Sequence, residues 1–233
     1  MRVTIHQPEH LPWPGFFGKA SLASQLVLLD NVQFRKNYFQ NRNRILTPAG
    51  VEWVTVPVLT KGHTHGALRD MHINNTDRRW RIRCWRKITE SYGRHPHFDA
   101  YADFLEDMYA REWDSLTALN EHVIRHVCAL LELDIGIQRA SDLQVVGSSS
   151  QLLLDICLAT GATEYVAGPS ARGYLDESLF DAKGIRVRHG SYEQQAYPQP
   201  ASNRFVERLS VIDLLFNCGE RSRDVVIAGS RCE

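Results

Sequence analysis

The chain has 233 residues, 43% of them apolar, which is enough core for one large domain or two small ones. Lys plus Arg and Asp plus Glu each number 27, so no global field would hold the chain on DNA or an anionic membrane, and any anion site must be local. Five widely separated cysteines, never in a Cys-x-x-Cys spacing, argue against a disulfide scaffold or a zinc ribbon. With no secretory pattern at Met1 and no run near the roughly 20 apolar residues of a membrane span, a reducing, cytoplasmic setting is expected.

In chain order, apolar runs and turn residues predict a strand at about 2–6, a helix from Gly15 to Ser24 and a strand LVLLD ending at Asp30. A short helix between two apolar strands favours a parallel crossover. Thr47-Pro-Ala-Gly50 signals a turn before a further strand, Val51 to Val58. Residues 77–132 take on helical spacing, with Asp77 and Asp114–Ser115 as N-caps. Alternation resumes with a helix LLLDICLAT capped by Ser148 to Ser150 and ended at Gly161. A strand EYVAG, a helix through Leu175 to Ala182 and a strand IRVRH follow. The expectation is a single α/β domain over 1–233: a mainly parallel, Rossmann-like sheet with helices on both faces and a helical insertion at about 77–132.

Ligands of open α/β sheets bind beyond the carboxyl ends of strands. There, IHQPEHLPWPGFFGK (5–19) places His6, Gln7, Glu9 and His10, with Gly15 and Lys19 suited to an anion at the following helix. The competing reading is a loop stiffened by Pro8, Pro12 and Pro14, with structural histidines. The density of polar groups at a strand end favours a site.

After the next strand, DNVQFRKNYFQNRNR supplies Asp30, Gln33, Arg35, Asn41 and Arg42. Amides there can read a sugar or base edge, guanidinium groups can hold phosphate, and Tyr38 and Phe39 can stack on a ring; a solvated basic loop is the alternative. The Arg- and Trp-rich stretch 78–94 is read as internally salt-bridged ahead of RNA-binding, because the whole-chain charge is zero. His122 and His126, His63-Thr-His65 and His95-Pro-His97 lack a third ligand at a recognisable spacing, so no metal is expected on protein ligands. AGPSARGYLDESLF offers Arg172 and Tyr174 in a strand-to-helix loop that suits an anion equally well as a plain connection.

Together these stretches resemble the WbqC-like family: His-Gln-Pro with Leu-Pro-Trp and Gly-Phe-Phe, then LLDNVQF, QNRNRI and VTVPV. The likeness continues through LLLDICLATGATEYVAG, GYLDESLF and LSVIDLLFNCG, although His10 stands where the family usually has Tyr and Cys218 where an acidic residue is common. The resemblance implies a biosynthetic enzyme of surface-polysaccharide or natural-product assembly that transfers a glycyl or other acyl group to an amino sugar or similar amine. In that chemistry His6 is the base, Glu9 its orienter and Gln7 or Asn41 a polar guide. The acyl group would come from an activated donor, with an aminoacyl-tRNA one candidate, and the acceptor would be a small or nucleotide-linked molecule. The alternatives are ATP-dependent ligation or nucleotidyl transfer, and a non-catalytic ligand-binding subunit. If the first two strands are neighbours, His6, Gln7, Asn41 and Arg42 should line one pocket, approached by Arg172 or Tyr174.

Overall fold

The computed structural model describes residues 1–60 and 66–233. Strand β1 (Arg2–His6) leads to helix α1 (Pro14–Ala20) and back to β2 (Gln25–Leu28), which pairs in parallel with β1, His6 opposite Leu28. Pro14 suits the first turn of α1, where its missing N–H costs nothing. The helix stops before Ser24 because that residue already donates its N–H to Arg2 (3.0 Å).

The chain then leaves the main sheet. Strands β3 (Arg42–Thr47) and β4 (Gly50–Thr55) make a separate antiparallel hairpin, turned where Gly50 takes a φ of 114°. Helices α2 (Arg79–Tyr92), α3 (Phe98–Ala110) and α4 (Leu116–Leu130) follow before β5 (Gly136–Arg139) pairs with the far side of β2. Ser115 caps α4 by accepting from Ala118 N–H (3.2 Å), and Asp77 accepts from Arg79 N–H (3.0 Å) at the start of α2.

The second half runs through α5 (Ser149–Ala159), β6 (Glu164–Ala167), α6 (Ser178–Asp181), β7 (Arg186–Tyr192), α7 (Val211–Cys218), α8 (Ser222–Gly229) and β8 (Ser230–Cys232). The helix expected over Leu175 to Ala182 is confined to α6, since Pro169–Gly173 forms a 3-10 turn first. Six strands lie in the order β5-β2-β1-β6-β7-β8, all parallel except β8. The parallel strands thus follow the doubly wound, Rossmann-like order, in which the direction of winding reverses between β1 and β6.

Alternation along the strands sends Val3, Ile5 and Val27 into a core with α5 and Phe180 of α6. Leu26 and Leu28 face the opposite core, with Phe16 and Phe17 of α1, the insertion helices and α7. Both faces are therefore covered, as a parallel sheet requires. Among the described residues no helix is long and apolar enough to cross a membrane.

Candidate active site

A crevice of about 1030 Å³ opens beyond the carboxyl ends of β1 and β6, where the winding reverses. Residues from the β1 loop (His6, Gln7, Glu9), α1 (Lys19) and the turn after β6 (Gly168, Ser170) line it. Thr4 fastens the seam below by donating to the Val166 carbonyl (2.9 Å).

Strand alternation puts His6 on the α1 face, its ring edge against Phe16 with centroids 4.8 Å apart. Its Nδ1 lies 3.0 Å from the Gln7 carbonyl oxygen. A carbonyl can only accept, so Nδ1 carries the proton and Nε2 keeps the lone pair. Burial first, and then the Lys19 charge, lowers the His6 pKa to about 3, so the imidazole is neutral at pH 7. The orienting group is the Gln7 carbonyl, not the Glu9 carboxyl expected from sequence.

Glu9 is 6% exposed, and its Oε2 is buried with no hydrogen-bond partner among the described residues. Burial raises its pKa to about 8 against the opposing pull of Lys19. Lys19 donates to the Ile5 carbonyl (2.7 Å) and is lowered to about 8 by burial, with Glu9 opposing. Its Nζ would lie 3.8 Å from a Cβ on Gly168, so the ammonium group spans from β1 to the β6 turn. Two groups that ordinarily titrate six units apart thus meet near neutrality, the range where proton transfer is efficient.

The opposite wall comes from the β3–β4 hairpin and the segment that leads into it. Gln40 donates to Gln7 Oε1 (2.8 Å) and accepts from Arg35 N–H (2.7 Å), tying the residue-35 segment to the β1 loop. Arg44 and Trp53 are directly opposed across the hairpin and both line the crevice, as do Tyr38, Phe39 and Arg208. Trp13, Tyr174 and Tyr192 close the remaining sides. Gly15 also lines it, but a Cβ there would sit 2.2 Å from the Trp13 ring, so this glycine makes room for an indole.

Residues 7–225, which include the lining residues named above other than His6, match the WbqC-like protein family. The chain belongs to that family. An uncharacterised protein of Mycobacterium tuberculosis is 34% identical over 224 residues, covering 96% of each chain. No solved structure matches this WbqC-like chain.

Several expected site residues of the WbqC-like chain lie elsewhere. His10 is fully buried, with Nε2 3.2 Å from the Tyr109 hydroxyl, and burial lowers its pKa to about 4. Asp30, also fully buried, accepts from the Ser141 N–H (2.9 Å) and hydroxyl (2.7 Å) and so brackets β2 to the residues after β5. Asn41 donates to the Val56 carbonyl (2.8 Å), and Gln33 forms a bridge with Ala67. Arg42 lies over the Trp53 ring, 4.1 Å from its centroid, behind the wall instead of lining it. Arg172 pairs with Glu233 (2.5 Å), while Tyr174 does reach the crevice.

The α2 cations are paired: Arg79 and Arg83 with Asp77 (3.1 and 2.8 Å), Lys87 with Glu52 (2.6 Å) and Arg86 with Glu90 (3.7 Å). His126 stacks on Phe104 at 3.4 Å between centroids, and His122 tilts against Phe104 and Trp113. His95 Nδ1 bonds Asn217 Oδ1 (2.9 Å), and His63 and His65 lie outside the described residues. Among the described residues no three His, Cys, Asp or Glu side chains converge as metal ligands would.

Sequence reasoning missed Trp53, Tyr192 and Arg208, while Arg44 and Trp13 lay inside the two polar segments without being chosen from them. For the hairpin pair a signal existed. Arg42-Asn43-Arg44-Ile45, read with period two across the Thr47–Gly50 turn, puts both arginines on the Trp53 face.

Proposed function

We propose that this protein forms an amide by transferring an acyl or aminoacyl group from an activated donor to an amine, with the crevice between β1 and β6 as its active site. The observation that carries this reading is the set His6, Glu9 and Lys19: a neutral imidazole with a free lone pair beside a carboxyl and an ammonium group that both titrate near pH 8. The amine nitrogen attacks the acyl carbon, and a proton leaves that nitrogen for His6 Nε2. Collapse of the tetrahedral intermediate breaks the bond to the leaving group, which takes up a proton. In this reading protonated Glu9 gives that proton, and Lys19 offsets negative charge on the oxyanion. The burial that keeps His6 neutral also makes it a weak base, and a bound anion that cancels the Lys19 charge raises its basicity.

Incubating the purified protein with candidate amines and a thioester, an aminoacyl-tRNA or a free acid plus ATP, with products read by mass spectrometry, tests the reaction. No amide from any of the three donors sinks the proposal. His6→Gln should lower turnover by about 10²–10⁴-fold with an unchanged melting curve. Wild-type turnover at saturating substrate would remove His6 from the chemistry.

The strand order favours one second reading, ATP-dependent ligation, because the reversal point of a doubly wound sheet is where nucleotides bind. Release of ADP or pyrophosphate only in the presence of a competent acid and amine separates it from transfer.

A further inference from the structure

The chain's charges balance overall, and over most of the surface they balance locally. Arg2, Arg186 and Arg188 share Glu164, Arg125 and Arg139 share Glu121, and the α2 cations have the partners given above. The crevice breaks this pattern. Among the described residues, none of its cations (Lys19, Arg35, Arg44 and Arg208) lies within ion-pair distance of a carboxylate, and the residues outside the description contain no Asp or Glu. The single acidic lining residue, Glu9, is held protonated at neutral pH by burial and so cancels little of this charge. Arg44 is fixed by donating to the Arg208 carbonyl (2.8 Å), yet its Nε is buried with no partner.

The same wall carries exposed rings. Tyr38 is 42% and Trp53 38% exposed, and each is braced by a guanidinium group that does not neutralise a carboxylate: Arg35 at 5.7 Å from the Tyr38 ring and Arg42 at 4.1 Å from Trp53. Phe39 stands between them, 5.4 Å from Tyr38 and 5.9 Å from Trp53. A patch of rings rimmed by unpaired cations suits an anionic ligand that carries a flat apolar face, because covering the rings releases their water and the anion supplies the missing counter-charge. A volume of about 1030 Å³ also exceeds what an acyl group and a simple amine fill.

We propose that the crevice binds a nucleotide, its phosphates held by Lys19, Arg35, Arg44 and Arg208 and its base stacked against Tyr38 and Trp53. Guanidinium groups match phosphate oxygens in pairs, and a base presents a flat π face whatever its identity. The base platform belongs to the hairpin and the residue-35 segment, outside the doubly wound sheet. This explains why no glycine-rich dinucleotide fingerprint follows β1. The inference rests on the crevice being the site of amide formation and names the substrate class for it, a nucleotide-carried amine or ATP as the activating co-substrate.

Calorimetric titration of the full chain with UDP and with ADP, against inorganic pyrophosphate and the matching nucleosides, tests it without any turnover. At least one nucleotide should bind saturably and about tenfold or more tighter than either pyrophosphate or its nucleoside. Trp53→Ala and Tyr38→Ala should each weaken that binding by about tenfold, the order expected of one base stack. Both side chains are exposed enough that folding should survive, which a circular dichroism melt verifies. Arg83→Ala on α2 should leave affinity unchanged. A preference for ADP assigns the ring to ATP and a preference for UDP to a nucleotide-carried amine. No saturable binding of either nucleotide, pyrophosphate binding as tightly as the nucleotides, or wild-type affinity in both ring variants would overturn the subsite. Retained nucleotide affinity with no amide product from any donor would overturn the transferase reading alone.

Discussion

Helix α2 and the crevice wall are built from the same residue types, Arg, Lys and Trp, yet the two regions treat their cations in opposite ways. On α2 a carboxylate stands near most positive groups, Trp80 donates to Asn75 (3.2 Å) and Trp85 stacks on Phe98 at 6.1 Å. In the crevice the guanidinium groups lean on rings and backbone carbonyls and the carboxylates are missing. Density of positive charge therefore carries little information about binding. What separates a site from a solvated helix face is whether the fold itself supplies the counter-charge.

The amides of the 30–44 segment make a further contrast, because they resemble ligand readers but satisfy backbone instead. Asn43, fully buried, donates to the Leu11 carbonyl (2.8 Å), and Asn41 donates to the Val56 carbonyl (2.8 Å). The largest effect should come from here: Asn43→Ala leaves the Leu11 carbonyl unpaired and should cost about 1–3 kcal/mol in urea unfolding. An undiminished midpoint would mean that water or relaxation replaces the bond.

A smaller, pH-dependent effect belongs to Glu9. Its folded pKa of about 8 stands above the ordinary 4.5, so its contribution to stability is complete below 4.5 and is lost as pH rises through 8. Lys19, lowered from 10.5 to about 8, acts in the window above that and with the opposite slope. Glu9→Gln should therefore melt progressively higher than wild type from pH 4.5 to 8, with the gap level beyond. A constant gap across that range would show that the carboxyl titrates normally.

The smallest effect sharpens the comparison through its sign. Arg83→Ala removes an attracted charge and should lower the melting temperature slightly at low salt. The double variant Arg35→Ala with Arg208→Ala removes mutually repelling charges and should raise it, both shifts fading in high salt. Equal signs would mean that the crevice cations do not share one field.

Much of the sheet was legible because buried parallel strands and their helices leave dense signals: β1, β2 and β6 are short runs with an apolar centre, β2 lying between Ser24 and Asp30 and β6 ending before Gly168, while β7 is announced by Gly184 and the Ile185 and Val187 alternation. So was the strand end at His6 to Lys19, since polar groups crowd there for a reason that topology supplies. The hairpin strand β3 was hidden because its outward face is arginine and its inward face begins with an amide, which imitates a loop. Strand β5 is four residues long, with Gly, Gln and Arg in three of them. His10, Asp30 and Arg172 could not be sorted in advance, because whether a polar side chain meets Tyr109, Ser141 or Glu233 depends on partners 61 to 111 residues away.

The bond from Thr4 to Val166 joins residues 162 apart in sequence, and it lies at the seam on which the crevice stands. During synthesis at about 5–20 residues per second, the first strand made has its β2 edge available at once but waits roughly 8–30 seconds for its other neighbour. The crevice thus comes into being only when the two halves of the chain meet. Any ligand that bridges the ends of β1 and β6 acts as a clasp on this last-closing join, so its affinity registers as resistance of the whole protein to opening.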